Sequence, residues 1–161
     1  MTVDRRVRKT RDAIYAAFAS LVVERGYDQM TVEDVLDAAD IARSTFYAHF
    51  PGKAAVLQFG FDRLANELGP TDHPGLDFVE PLLKHARAHA GLYNALLRSG
   101  GGGQAEHAFL DVVMRRLPPG DALTRAMAGG ALVAGLKTWL ADGAPGDGGA
   151  IAERVRRLLE P

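Results

Sequence analysis

Cysteine is absent from the 161 residues, which excludes disulfides, thiolate zinc sites and thiol catalysis and fits a reducing compartment. Long apolar runs are absent too. No stretch approaches the roughly eighteen residues that a membrane-spanning helix needs. Net charge is almost absent: 19 Lys and Arg against 20 Asp and Glu leave −1. Nothing therefore draws the chain as a whole toward nucleic acid or anionic lipid, and any nucleic-acid surface has to be a local patch. The opening MTVDRRVRKTRDA is positively charged but is followed by no apolar segment of the signal-peptide kind. Sustained period-two alternation is missing, so no sheet is expected. These absences lead to the expectation of a soluble, cytoplasmic protein. Its 47% hydrophobic and 24% charged residues are ordinary for one domain, or for two small packed halves, with a sizeable core.

What is present is helical spacing. Ile14, Ala17, Phe18, Leu21 and Val22 fall on one stripe of a first helix, and Gly26 stands where a left-handed residue would end it. Thr31 with Asp34 three residues on reads as a capping box opening a short second helix, whose stripe is Val32, Val35, Leu36 and Ala39. A third helix is expected from about Arg43 to Phe50, closed by Pro51-Gly52. A fourth carries Leu57, Phe61, Leu64 and Leu68 and stops at Gly69-Pro70, where TDHPG marks a break. Further helices are expected near 76–89, 91–98, 104–117, 121–142 and 149–159. Between them lie GGGG, PPG and GAPGDGG. The fold class is all-α, with about nine helices. The division expected is 1–53 as a three-helix head and 54–161 as a helical domain.

Two short helices across a tight turn, braced by a longer one, have the layout of a helix-turn-helix unit. Ala39-Asp40-Ile41 is the turn, and Ile41 plugs the helices together. Phe46 and Phe50, four apart, share the inward face of the third helix, which leaves Arg43, Ser44, Tyr47 and His49 largely outside it. Arginine can make paired bonds to guanine, hydroxyls can bond bases or phosphates, and tyrosine can donate to a phosphate. Lys53 and the N–H groups after Pro51-Gly52 suit a phosphate, and Thr31 offers similar chemistry on the opposite flank. Ahead of these, Arg5, Arg6, Arg8, Lys9 and Arg11 place five positive charges in seven residues, an arm able to track the backbone or enter the minor groove. Against this, residues 1–53 hold eight basic and eight acidic residues, and amphipathic helix pairs with solvated basic tails are common. Periodicity alone leaves both readings open.

The order of landmarks goes further. Residues 10–57 resemble the DNA-binding segment of the TetR family of bacterial transcription regulators. The resemblance rests on Ala16-Ala17, Gly26-Tyr27, Thr31-Val32, Ala39, Ile41, Thr45-Phe46-Tyr47, His49-Phe50 and Lys53. It implies that the third helix enters the major groove and that Tyr47, Lys53 and often Thr31 touch phosphates. Arg43 and Ser44, with Thr45, are the expected base readers. Two positions depart from the common pattern. Asp40 stands where glycine is usual, and Asp tolerates the left-handed conformation. Ala42 stands where a serine cap is usual, so the third helix loses that cap.

The remaining residues resemble the family in their all-helical layout and in the segment GGALVAGLKTWLADGAP. The resemblance implies a two-fold homodimer formed by the last two helices, with Leu132, Leu136, Val155, Leu158 and Leu159 as interface candidates. Such a dimer would read an inverted repeat. It also implies a small hydrophobic ligand in this half, with Phe61, Leu64, Phe78, Leu82, Leu92, Tyr93, Phe109, Val113 and Trp139 as candidate lining residues. Taken singly, each of these nine is more often ordinary core. No cofactor and no metal are expected. His85 and His89 have a metal-compatible spacing, with His73 and His107 as possible neighbours, but solvated or capping histidines are the commoner case. GGGG lacks the strand and the Lys-Ser/Thr of a phosphate loop. Ser44-Thr45 near His49 lack an orienting acid, so catalysis is not expected. The expectation is a DNA-binding regulator, a repressor released by a ligand. The alternative is a ligand-binding or scaffold protein of the same fold with little specific DNA affinity.

Overall fold

The computed structural model describes residues 2–69, 76–97, 103–146 and 149–159. Among the described residues there are nine α-helices and no strand. They are α1 (Thr2–Arg25), α2 (Val32–Ala39), α3 (Arg43–Tyr47), α4 (Lys53–Glu67), α5 (Val79–Ala88), α6 (Ala90–Leu97), α7 (Gln104–Met114), α8 (Ala122–Ala141) and α9 (Gly149–Leu159). None of them is long and apolar enough to cross a membrane. By packing, the chain divides into two compact units, Met1–Arg63 and Leu64–Pro161. The division falls inside α4, later than the expected 53/54. The early turns of α4 pack against α1: Phe59 meets the Tyr15 ring edge-on, and Arg63 pairs with Asp12 at 2.8 Å. Gly60 lies so close to Tyr15 that a Cβ there would meet the ring at 2.5 Å.

In the first unit the stripe Ile14, Phe18, Leu21 and Val22 is buried. Gly26 ends α1 with φ +82° and donates its N–H to the Val22 carbonyl. The capping box is present. The Asp34 amide donates to the Thr31 hydroxyl, and the Thr31 amide donates to the Asp34 carboxylate at 2.8 Å. Two left-over N–H groups close α2: Asp40 and Ile41 donate to Asp37 and Leu36. Asp40 takes the left-handed conformation (φ 49°, ψ 54°) that its position demanded. Phe46 and Phe50 are buried, but α3 stops at Tyr47, and residues 48–50 turn toward α4 through bonds from His49 and Phe50 back to the Phe46 carbonyl.

The basic arm is not an extended segment. It forms the first turns of α1, since nothing between Thr2 and Ile14 breaks a helix.

In the second unit α8 is the central helix. It meets α5, α6, α7 and α9. Asp121 caps its first turn, and Arg125 turns back to donate to the carbonyls of Met114, Leu117 and Pro118, satisfying the end of α7. Arg116 does the same for the end of α4 with bonds to Ala65 and Gly69, and it is buried along with the apolar core. Past α8, Gly143 and Ala144 both take positive φ. There the Trp139 indole donates to the Pro145 carbonyl at 2.8 Å, and the Arg87 guanidinium lies over its ring. The expected break at 71–75 and most of the GGGG run lie outside the described residues, as does His73.

Candidate nucleic-acid interface

The turn at Asp40 sets α3 so that its two faces separate by chemistry. Phe46, fully buried, anchors one face, where its ring meets Phe50 and Tyr47. Arg43, Ser44 and Tyr47 are exposed on the other, with Tyr47 at 48%. Thr45 and His49 are half-buried at the edges. A large aromatic side chain held half in water beside an arginine and a hydroxyl is an unusual surface for a helix of five residues. It has hydrogen-bonding reach and little apolar area to hide. Ala42 supplies no side-chain cap, as its identity requires, yet α3 still begins at Arg43. Arg5, Arg6 and Arg8 are exposed along the start of α1.

Two expected phosphate ligands are otherwise engaged. The Lys53 ammonium donates to the carbonyls of Tyr27 and Met30, both at 2.9 Å, and lies over the Tyr27 ring. Lys53 therefore pins the α1–α2 connection to the start of α4. The physical reason is direct: the connection after Gly26 leaves carbonyls with no helical partner, and a half-buried ammonium satisfies them. The Thr31 hydroxyl is likewise committed. It donates to Asp34 at 2.8 Å while accepting from the Asp34 amide. The Thr31 amide, then its hydroxyl, and to a lesser extent Arg25 at 2.6 Å hold the Asp34 carboxyl below the usual carboxylate range.

Sequence reasoning missed a residue here. Glu33, in the first turn of α2, forms an ion pair with Arg43 across the turn. A signal existed: of the two acids in that turn, only Asp34 is needed for the capping box.

The second unit redistributes the other candidates. Leu132 and Leu136 are completely buried within the protomer and cannot also form an interface. They are corrected to core residues, since they lie on the side of α8 that meets α5, α6 and α7. Leu123 (70% exposed), Met127 (67%), Gly130, Ala134, Thr138 and Ala141 form one exposed stripe along α8. The side chains of Val155, Leu158 and Leu159 lie outside the described residues. Of the ligand-lining candidates, Leu64, Phe78, Leu82, Phe109, Val113 and Trp139 are buried in core packing, as is Phe61 in the first unit, and Leu92 is half-buried. Tyr93 alone of the nine lines a described cleft, of about 580 Å³, which it shares with Asn94, Leu97, Lys137, Thr138, Leu140 and Ala141.

His85 bonds the Tyr93 hydroxyl at 3.0 Å and approaches Glu67 at 3.3 Å. Burial, and then the neighbouring His89, depress its pKa against the opposing pull of Glu67. His107 bonds the Gly103 carbonyl of its own helix start. Among the described residues no three metal-binding side chains converge.

Comparison with known proteins places this geometry. Residues 14–58 match the family model described as bacterial regulatory proteins, tetR family. Over 67 residues the chain is 36% identical to an uncharacterized HTH-type transcriptional regulator, YxbF, of Bacillus subtilis, covering 41% of this chain and 18% of that protein. Over 55 residues it is 40% identical to the HTH-type transcriptional regulator EthR of Mycobacterium tuberculosis, covering 34% of this chain and 26% of the other. The matched part thus spans well under half of those relatives. The fold extends the likeness. A TetR transcriptional regulator from Streptococcus agalactiae superposes over 100% of this chain and 99% of its own, with a TM-score of 0.77 and 23% identity. Head landmarks in sequence and the full helical order in structure agree: residues 14–58 match the tetR family model, and the whole chain has the fold of a TetR regulator.

Proposed function

We propose that this chain is a sequence-specific DNA-binding transcription regulator, working as a homodimer on an inverted-repeat operator. The observation that carries it is the division of α3, with Phe46 locked inside, Phe50 buried just past its end, and Arg43, Ser44 and Tyr47 presented outward. In this reading Arg43 and Ser44 meet base edges, flanked by Thr45 and His49, and Tyr47 donates to a phosphate. Arg5, Arg6 and Arg8 follow the backbone from the start of α1, and the family match of the head supports the assignment. Lys53 and Thr31 act indirectly, by fixing the frame that carries α3.

The exposed stripe of α8 is the dimer surface in this reading. Leu123 and Met127 supply apolar area at one end, and Gly130 and Ala134 allow close helix approach. The regulator is a repressor released by a small hydrophobic ligand, and the cleft beside Tyr93 and Leu97 is its entry point. A near-complete switch requires that ligand to favour the released state by about 5 kcal/mol.

Salt-titrated binding to the DNA upstream of the chain's own gene tests the proposal. Binding to a palindromic segment should exceed binding to scrambled duplex by about a thousandfold or more and weaken steeply with salt. Equal, weak binding to both duplexes sinks it and leaves a ligand-binding or scaffold protein.

A further inference from the structure

Arg43 has an unusual address for a base reader. It is the first residue of α3, where a cation opposes the helix dipole, and Ala42 before it offers no capping oxygen. Glu33 answers the first of these. Its carboxylate, more than half exposed, receives the Arg43 Nη2 from across the turn. Glu33 has no part in the capping box, which Thr31 and Asp34 complete between them. It is also an anion beside the surface proposed to face phosphates, a placement that costs DNA affinity unless it does something else.

We infer that Glu33 is a positioning residue for base reading: it holds the Arg43 fork toward the groove and keeps it from pairing with whichever phosphate is nearest. The inference rests on the DNA-reading assignment of α3. A guanidinium has five N–H donors in a rigid plane, so a carboxylate on Nη2 orients the fork and still leaves donors for the O6 and N7 acceptors of guanine. Without that tether, an arginine on a flexible stem is free to meet any phosphate oxygen, which adds affinity and carries no sequence information. Glu33 thus trades general affinity for discrimination. Orientation and charge act together, because the pair presents no net charge to a non-cognate duplex, which lowers sequence-independent binding.

The test is selection from a randomised duplex pool, followed by titration of the selected and scrambled duplexes, with the wild type, Glu33→Gln, Arg43→Ala and the double variant. The wild type should enrich an inverted repeat with guanine at one position per half-site that depends on Arg43. Glu33→Gln should bind scrambled duplex several-fold more tightly, with a salt dependence steeper by about one charge, while preference for that guanine falls roughly tenfold. In the Arg43→Ala background, Glu33→Gln should raise affinity for all duplexes alike and leave base preference untouched.

If Glu33→Gln strengthens every duplex equally while guanine preference persists, Glu33 is only a repulsive charge and the inference fails. If the wild type enriches no motif, the DNA-reading assignment fails as well. Unfolding midpoints unchanged across the set exclude a folding effect, and a large loss of stability in Glu33→Gln would show a merely structural role.

Discussion

The outer faces of α3 and α8 are opposites. Helix α3 buries a phenylalanine and shows water an arginine, a serine and a tyrosine, whereas α8 buries leucines and shows water Leu123, Met127 and a row of small residues. A polar outer face on a minimal helix suits a polar, charged partner. An apolar outer face on a helix already buried along its other side suits a surface like itself. The difference teaches where each helix's stability comes from. Five residues are too few to hold α3 by propensity, so its position is borrowed entirely from packing and from the turn at Asp40. Twenty residues and a buried flank make α8 independent of what meets its outer side.

The largest effect should come from breaking the buried face of α3. Phe46→Ala removes a fully buried ring and should cost about 3–5 kcal/mol by urea unfolding, with DNA binding lost alongside. Loss of DNA binding with no change in stability would show that the ring does not anchor α3.

Lys53→Ala comes next. It removes the ammonium bound by the Tyr27 and Met30 carbonyls and should cost about 2 kcal/mol by urea unfolding. A phosphate clamp would behave differently, losing DNA affinity with stability intact. Thr31→Ala removes the α2 cap and should cost about 1 kcal/mol, read from the same melts.

Two tests address the second unit. The depressed pKa of His85 means its neutral form is favoured in the fold, so the unfolded chain binds the extra proton first. Its contribution is present above the ordinary histidine value of about 6.5 and is lost as pH falls below it. Urea midpoints compared at pH 5.5 and 7.5 should show a drop at the lower pH that is smaller in His85→Gln; an equal drop in both would assign it elsewhere. The smallest effect on the protomer should come from Leu123→Lys with Met127→Glu, whose side chains are mostly in water. Protomer stability should move by less than about 0.5 kcal/mol. Light scattering should nonetheless show the proposed dimer split into monomers, and a persisting dimer places the interface off this stripe.

The contrast between the two helices also explains what was legible in the sequence. The head could be read closely because its signals are local. The Thr31–Asp34 box, Gly26 and Asp40 each act within four residues, and all three adopt the conformations their chemistry demanded. Lys53 could not be read this way, since its carbonyl partners lie more than twenty residues back and only the folded chain brings them within reach. The same holds for Glu33 and Arg43, ten residues apart on different helices.

In α8 the boundaries were plain from Asp121 and Gly143, but orientation was not. Apolar residues surround the helix on all sides, so its spacing cannot say that Leu132 and Leu136 face inward while Leu123 and Met127 face out. The length of α1 was underestimated for a related reason. A run of arginines reads as a solvated tail, although arginine is a good helix former and nothing in the run interrupts one.

The indole at the end of α8 gives the molecule a built-in optical reporter. Trp139 is the sole tryptophan in the sequence, so emission excited at the indole band comes from one place. With its N–H held by Pro145 and a guanidinium stacked on its ring, that fluorophore registers the state of the turn that leads toward α9. Loosening of the turn by heat, denaturant or a bound molecule would move the indole into water and shift its emission to the red. The cleft beside Tyr93 also includes Leu140, the residue after Trp139. Candidate ligands for that cleft can therefore be screened on the unlabelled protein, one spectrum at a time.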